Sequence, residues 1–278
     1  MKQTVYDYIK QEENKYLKGI DIEEGWSWSM KEHLKKSFLY KVSQFYKNNS
    51  DRTLRPFKNI VLGILRIAYR LEGFDVKDIE LYVTGGKFYK SFLAKKYHEK
   101  WAPENNIDTF IDEVVESFTD YGGVLVRKTS ENRPEVVDLR TLAFCNQKNL
   151  IVNPFCIKHS FSPQQLREQS LWGDGDSGAT ISTEALIELC KDEDSIDIYE
   201  LHGVLPSEYL IGDDGEIQDT GQIQVIAYYK DNQKTDVGVT LFRHREPKLP
   251  FKYLSRDEIK GRALGLGGVE ELFEAQQW

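Results

Sequence analysis

Between Gly261 and Gly268 four of eight residues are glycine, and the run opens directly onto Val269-Glu270-Glu271-Leu272-Phe273-Glu274-Ala275-Gln276-Gln277-Trp278. Gly261, Gly265, Gly267 and Gly268 let the backbone turn and approach its neighbours closely, which no other residue type permits so freely. Glu270 and Glu271 suit the positive end of a starting helix. Val269, Leu272, Phe273 and Gln276 fall at helical spacing on one face. The segment therefore predicts a closely packed turn followed by a helix that begins near Gly268 and reaches Trp278 without a stop signal. On this reading the chain is the front part of a longer protein. Leu249-Pro250-Phe251 forms an extended apolar lead-in, and Arg256-Asp257-Glu258-Ile259-Lys260 a charged stretch before the glycines.

The rest of the chain has to supply whatever that turn connects. With 278 residues, 40% of them hydrophobic, it can bury one large core or two modest ones. Its net charge of -8 argues against coating by nucleic acid, which needs concentrated Lys and Arg. An acidic surface is compatible with DNA sliding past without sticking. Cys145, Cys156 and Cys190 form no CxxC pair and are odd in number, which fits a reducing, intracellular setting. The N-terminus has no apolar signal core. The apolar patch Ile60–Leu65 meets Arg66 and Arg70 far short of a membrane span, so no membrane partner is expected.

Read in order, residues 1–48 predict helix, with Val5, Tyr8 and Ile9 on one face and Leu34, Phe38, Val42 and Phe45 on a second stripe. Asn48–Asp51 breaks the pattern, Pro56 suits a first helical turn, and an apolar helix runs to Leu71 with Gly73 ending it. A helix over Lys87–Lys100 carries Phe88, Phe92 and Trp101 as aromatic anchors. Asp108 is the expected cap of the next helix, whose face is Phe110, Ile111, Val114, Val115 and Phe118. It stops at Asp120-Tyr121-Gly122-Gly123, and Val124–Lys128 follows as a strand. The second half predicts strands at 135–139, 150–155, 196–204, 222–230 and 237–245, with a turn at Gly212–Gly215. Helices start at Ser162-Pro163 and at a Thr183 cap and flank the sheet. The expectation is an α+β fold, a helical N-terminal half followed by a small, mostly antiparallel sheet with flanking helices.

Motifs for chemistry are sparse. The histidines, His33, His98, His159, His202 and His244, have no metal-ligand spacing. Asp174 and Asp176 begin a calcium-loop pattern, but Ala179 and Ala185 stand where glycine and glutamate are required. The glycine run lacks GK[ST], and Glu270 occupies the place of the third glycine of a dinucleotide motif. Glu246-Pro247-Lys248 after a strand, with Asp231 or Asp236 upstream, is the sharpest enzymatic alternative, a metal-dependent nuclease site. Pro247 cannot extend a paired strand, which weighs against it. Lysines and aromatics intermingle over Lys87–Trp101, as in a nucleic-acid patch, although a solvated helix face explains the same pattern.

In their order, the helix and Tyr-Gly stop before a strand (Val115–Arg127), Pro250-Phe251, Gly265-Leu266-Gly267-Gly268-Val269-Glu270 and Gln276 resemble the portal proteins of tailed bacteriophages. The resemblance implies a structural head–tail connector with no catalytic residues and no cofactor or metal. Such proteins form a homo-oligomeric ring, usually of twelve subunits, at a capsid vertex in the virion, after assembly in the host cytoplasm. They meet the terminase motor, the capsid and tail or adaptor proteins, and double-stranded DNA passes through the ring during packaging and ejection. It also implies a division of this chain: residues 1–123 and 124–255 as the helical and mixed parts of the wing, and 256–278 as the connector towards the stem. Gly261, Gly265, Gly267, Gly268, Glu270 and Gln276 would be the connector residues. Another phage structural or adaptor protein is the competing reading.

Overall fold

A computed structural model describes residues 4–42, 60–85, 88–129, 133–151, 154–209, 221–246, 248–273 and 275. Pro56, the Gly212–Gly215 turn, Pro247 and Gln276 lie outside them. In chain order come α1 (Val5–Lys18), β1 (Ile20–Glu23), β2 (Trp26–Trp28), α2 (Met30–Lys41), α3 (Val61–Glu72), α4 (Phe88–Glu104) and α5 (Ile107–Tyr121). Then follow β3 (Gly123–Lys128), β4 (Pro134–Val137), β5 (Leu142–Phe144), β6 (Phe155–Phe161), α6 (Pro163–Glu168) and α7 (Thr183–Leu189). The last elements are β7 (Ile196–Gly203), β8 (Gln222–Lys230), β9 (Asp236–Arg245), β10 (Phe251–Ser255) and α8 (Gly268–Glu271). The fold is α+β, with helices first and antiparallel sheets after them.

The chain forms two compact units that are not consecutive halves. One comprises residues 1–32, 140–249 and 261–263; the other comprises 33–139, 250–260 and 264–278. In the first, β5 to β9 form a five-stranded antiparallel meander in sequence order. Leu166, Leu186 and Ile187 from α6 and α7 pack on Ile196, Ile198, Val225, Ala227 and Leu241 of its strands. The other face receives α1, whose Tyr6 ring stacks on Tyr228 at 5.1 Å and donates its hydroxyl to Asp236 at 3.0 Å. Thr4 and Asp7 close a reciprocal capping box at the start of α1, and Ser162 with Gln165 does the same for α6.

In the second unit β10, β3 and β4 pair in that order, so the lead-in at Pro250-Phe251 becomes an edge strand on β3. Ile107, Ile111 and Val115 of α5 form a core with Ala102 at the end of α4. Val61 and Leu65 of α3 join Tyr40 and Val269 in a separate core.

Several expectations are corrected. The helix predicted over residues 1–48 is interrupted by the β1–β2 hairpin, because Gly19 and Gly25 take positive φ and Ile20, Ile22, Trp26 and Trp28 alternate with polar residues. Asn106, not Asp108, precedes α5; it takes φ 53° and leaves Asp108 inside the first turn. Ser182 rather than Thr183 caps α7, its hydroxyl accepting from Ala185 N–H at 3.3 Å. The strand expected over 150–155 instead begins after Pro154, whose missing N–H is harmless at that position. The anchors on α4 reduce to Trp101, since Phe88 and Phe92 are exposed. Finally, α3 is apolar on two sides; Ile60, Ile64, Ile67 and Leu71 face solvent.

Candidate functional site

The glycine segment closes onto the α5–β3 junction. Tyr121 ends α5, and Gly122 takes the left-handed conformation at φ 74°, its N–H returning to the Phe118 carbonyl at 3.2 Å. The Gly122 carbonyl then accepts two backbone N–H groups from the far end of the unit, Arg256 at 2.9 Å and Gly265 at 3.0 Å. Leu266 N–H reaches Asp257 O at 3.2 Å and closes the intervening loop. A Cβ at Gly265 would overlap the Arg256 carbonyl, and one at Gly267 the Asp120 carbonyl. Both are backbone atoms that cannot step aside, so these two positions admit only glycine. Gly268 is less constrained; its nearest neighbours would be Leu65 Cδ2 and Thr119 O, both 3.3 Å away. Gly261 falls in the other compact unit, where a Cβ would meet Ile22 Cγ2 at 3.6 Å.

Charged side chains lock the joint. Asp120 sits in the last turn of α5, where the helix dipole disfavours an acid. Its carboxylate is buried and accepts from Lys41 Nζ at 2.6 Å and from the Tyr69 hydroxyl; Lys41 also pairs with Glu116. Burial raises the Asp120 pKa, while Lys41 and Tyr69 draw it back. Arg256 donates Nη1–H to Leu266 O at 3.1 Å and holds Glu72 at 3.2 Å, and Glu72 accepts the Thr119 hydroxyl at 2.7 Å. At the start of α8, Glu270 faces His33 Nε2 at 3.6 Å. Val269 is fully buried, and the Phe273 ring lies 4.7 Å from that of Tyr40. Asp120, Lys41, Tyr69 and Glu72 escaped the sequence reading. The available signal was an acid at a helix C-terminus, which requires a buried cation nearby.

The joint does not present a phosphate cradle, because anion loops need unspent N–H groups. Here those of Gly265 and Leu266 already serve Gly122 O and Asp257 O.

The nuclease candidates are dispersed. Glu246 faces His202 Nδ1 at 3.3 Å, Asp236 accepts from Tyr6, and Asp231 accepts from Gln233 and Thr235 N–H within its own turn. Lys248 is exposed. His202 Nε2 lies 3.0 Å from Glu200, whose other oxygen is 2.8 Å from His159 Nε2. Burial alone would lower the His202 pKa, but its hydrogen bonds to Glu200 and Glu246 outweigh that and raise it. These groups face one another pairwise, and among the described residues no cluster of His, Cys, Asp and Glu is placed to hold a metal. Burial pushes the Cys145 thiol up to about 12, which makes it a poor nucleophile. Among the described residues no helix is long and apolar enough to cross a membrane.

What the geometry provides is therefore a glycine segment seated by close backbone contact, with ion pairs beside it. No protein-family model matches the chain, and no curated protein sequence is significantly similar to it.

Proposed function

We propose that the chain is the wing portion of a tailed-phage portal protein, a non-enzymatic subunit of the ring through which double-stranded DNA is packaged and ejected. The observation that carries this reading is the joint, where Gly265 and Gly267 lie against the α5–β3 turn and α8 departs from it. A ring subunit transmits its geometry through such rigid connections, because each copy must present the same edges at the same angle for the ring to close. The buried Lys41–Asp120 pair and the Arg256–Glu72 pair favour a fixed rather than a hinged connection. In this role the protein meets the terminase, the capsid, tail or adaptor proteins and the passing DNA, and ATP hydrolysis belongs to the terminase. The site of action is the virion, after assembly in the host cytoplasm.

Electron microscopy of the full gene product tests the proposal. Rings with a central hole are expected, and Gly267→Val is expected to abolish particle assembly. Monomers or hole-less assemblies that still join heads to tails would support the adaptor reading instead. Metal-dependent DNA cleavage lost in Glu246→Ala would support the nuclease.

A further inference from the structure

Two consecutive helices of the second unit carry opposite charge, and among the described residues the ion pairs Lys41–Glu116, Lys96–Glu99 and Lys100–Glu104 account for only part of it. From Phe88 to Lys100, α4 exposes Phe88, Tyr89, Phe92, Leu93 and Tyr97 together with Lys90, Lys95, Lys96 and Lys100. Phe88 is 86% exposed and Tyr97 70%. Its intrahelical pairs, Lys96–Glu99 and Lys100–Glu104, are solvent-exposed and hold little energy. The following helix, α5, has no lysine or arginine at all, and its outer face presents Asp108, Asp112, Glu113 and Glu116. Beside it, α3 packs on α5 and turns Ile64, Ile67 and Leu71 to solvent. Exposed apolar residues grouped along a helix face in this way mark an interaction site.

We infer that α4 of one copy of this chain docks on α5 and α3 of the next, lysines against the acidic row and aromatics against the α3 stripe. The chain is its own best complement, since it is acidic overall while α4 is basic. The contact joins two different surfaces, so it repeats head to tail and closes into a ring or extends as a filament. The inference rests on the ring reading and names the surfaces that would make the ring.

Sedimentation velocity of the purified chain tests it. Lys95→Glu/Lys96→Glu/Lys100→Glu should weaken self-association at least about tenfold, and so should Asp108→Lys/Asp112→Lys/Glu113→Lys. Mixing the two variants should restore the parental value to within about threefold, because each mutant helix then meets its complement. Circular dichroism checks that each variant keeps its helices. Salt should weaken the parental association. A monomeric parent, a mixture no tighter than either variant, or unchanged association in the α4 variant overturns the contact. So does an α4 variant that loses only binding to a single-stranded oligonucleotide. Central-hole rings formed by the charge-reversed proteins would discard the contact and leave the portal reading. Restored pairing without such rings in micrographs would do the reverse.

Discussion

At the joint, Asp120 sits where regular structure ends, and Lys41 and Tyr69 come to it from two other helices. In the five-stranded sheet, Glu200 and His202 sit two residues apart on β7, and their partners His159 and Glu246 lie on a neighbouring strand and just beyond another. Both places bury charge, yet the surroundings differ. The sheet has a continuous ladder and an apolar core beside the charged row to hold its register. The joint has two backbone hydrogen bonds to one carbonyl and a stack of glycines, so it depends on close approach and on its ion pairs. Charge secures irregular backbone in the one case and decorates regular backbone in the other.

The largest effect should come from breaking the close approach. Gly265→Val forces the Arg256 carbonyl away and is expected to cost more than about 4 kcal/mol in urea denaturation, while Gly268→Ala should cost about 1 kcal/mol or less. Equal costs at the two positions would remove the idea of a tight joint. Next, Lys41→Met leaves Asp120 buried without its cation and should cost about 3–5 kcal/mol. A double-mutant cycle with Asp120→Asn should recover a large part of it.

The sheet should instead respond to pH. The His202 pKa is raised in the folded chain, so the charged imidazole stabilises fully below about pH 6.5 and that stability is lost as pH rises through the folded value. Protection factors at β7 amides, which remove the base-catalysed intrinsic rate, should therefore fall from neutral to alkaline pH, and His202→Gln should flatten that dependence. An unchanged slope in His202→Gln would show that the row does not titrate as described. At the small end, Arg167→Ala removes an exposed pair with Glu184 and should leave the denaturation midpoint unmoved.

Much of this was legible in the residues. Ser162-Pro163 set the start of α6, Gly73 the end of α3 and Tyr121-Gly122-Gly123 the end of α5, because caps and stops are local chemistry. The β1–β2 hairpin was missed because flanking helical periodicity on both sides masked a short alternation that begins after Gly19 and turns at Gly25. The two apolar sides of α3 were missed because hydrophobic periodicity reports that a face is apolar, not what covers it.

By itself, the sequence determined that residues 261–268 must turn and pack tightly, since four glycines in eight positions leave few other uses for that stretch. Only the tertiary structure decided which glycines meet backbone: Gly265 and Gly267 touch carbonyls of Arg256 and Asp120, whereas Gly261 lies in the other unit. It alone also brought Lys41 and Tyr69, 79 and 51 residues away along the chain, to Asp120. The reason is physical: a glycine's freedom is a property of one residue, but steric exclusion and charge pairing are properties of neighbours that folding brings together.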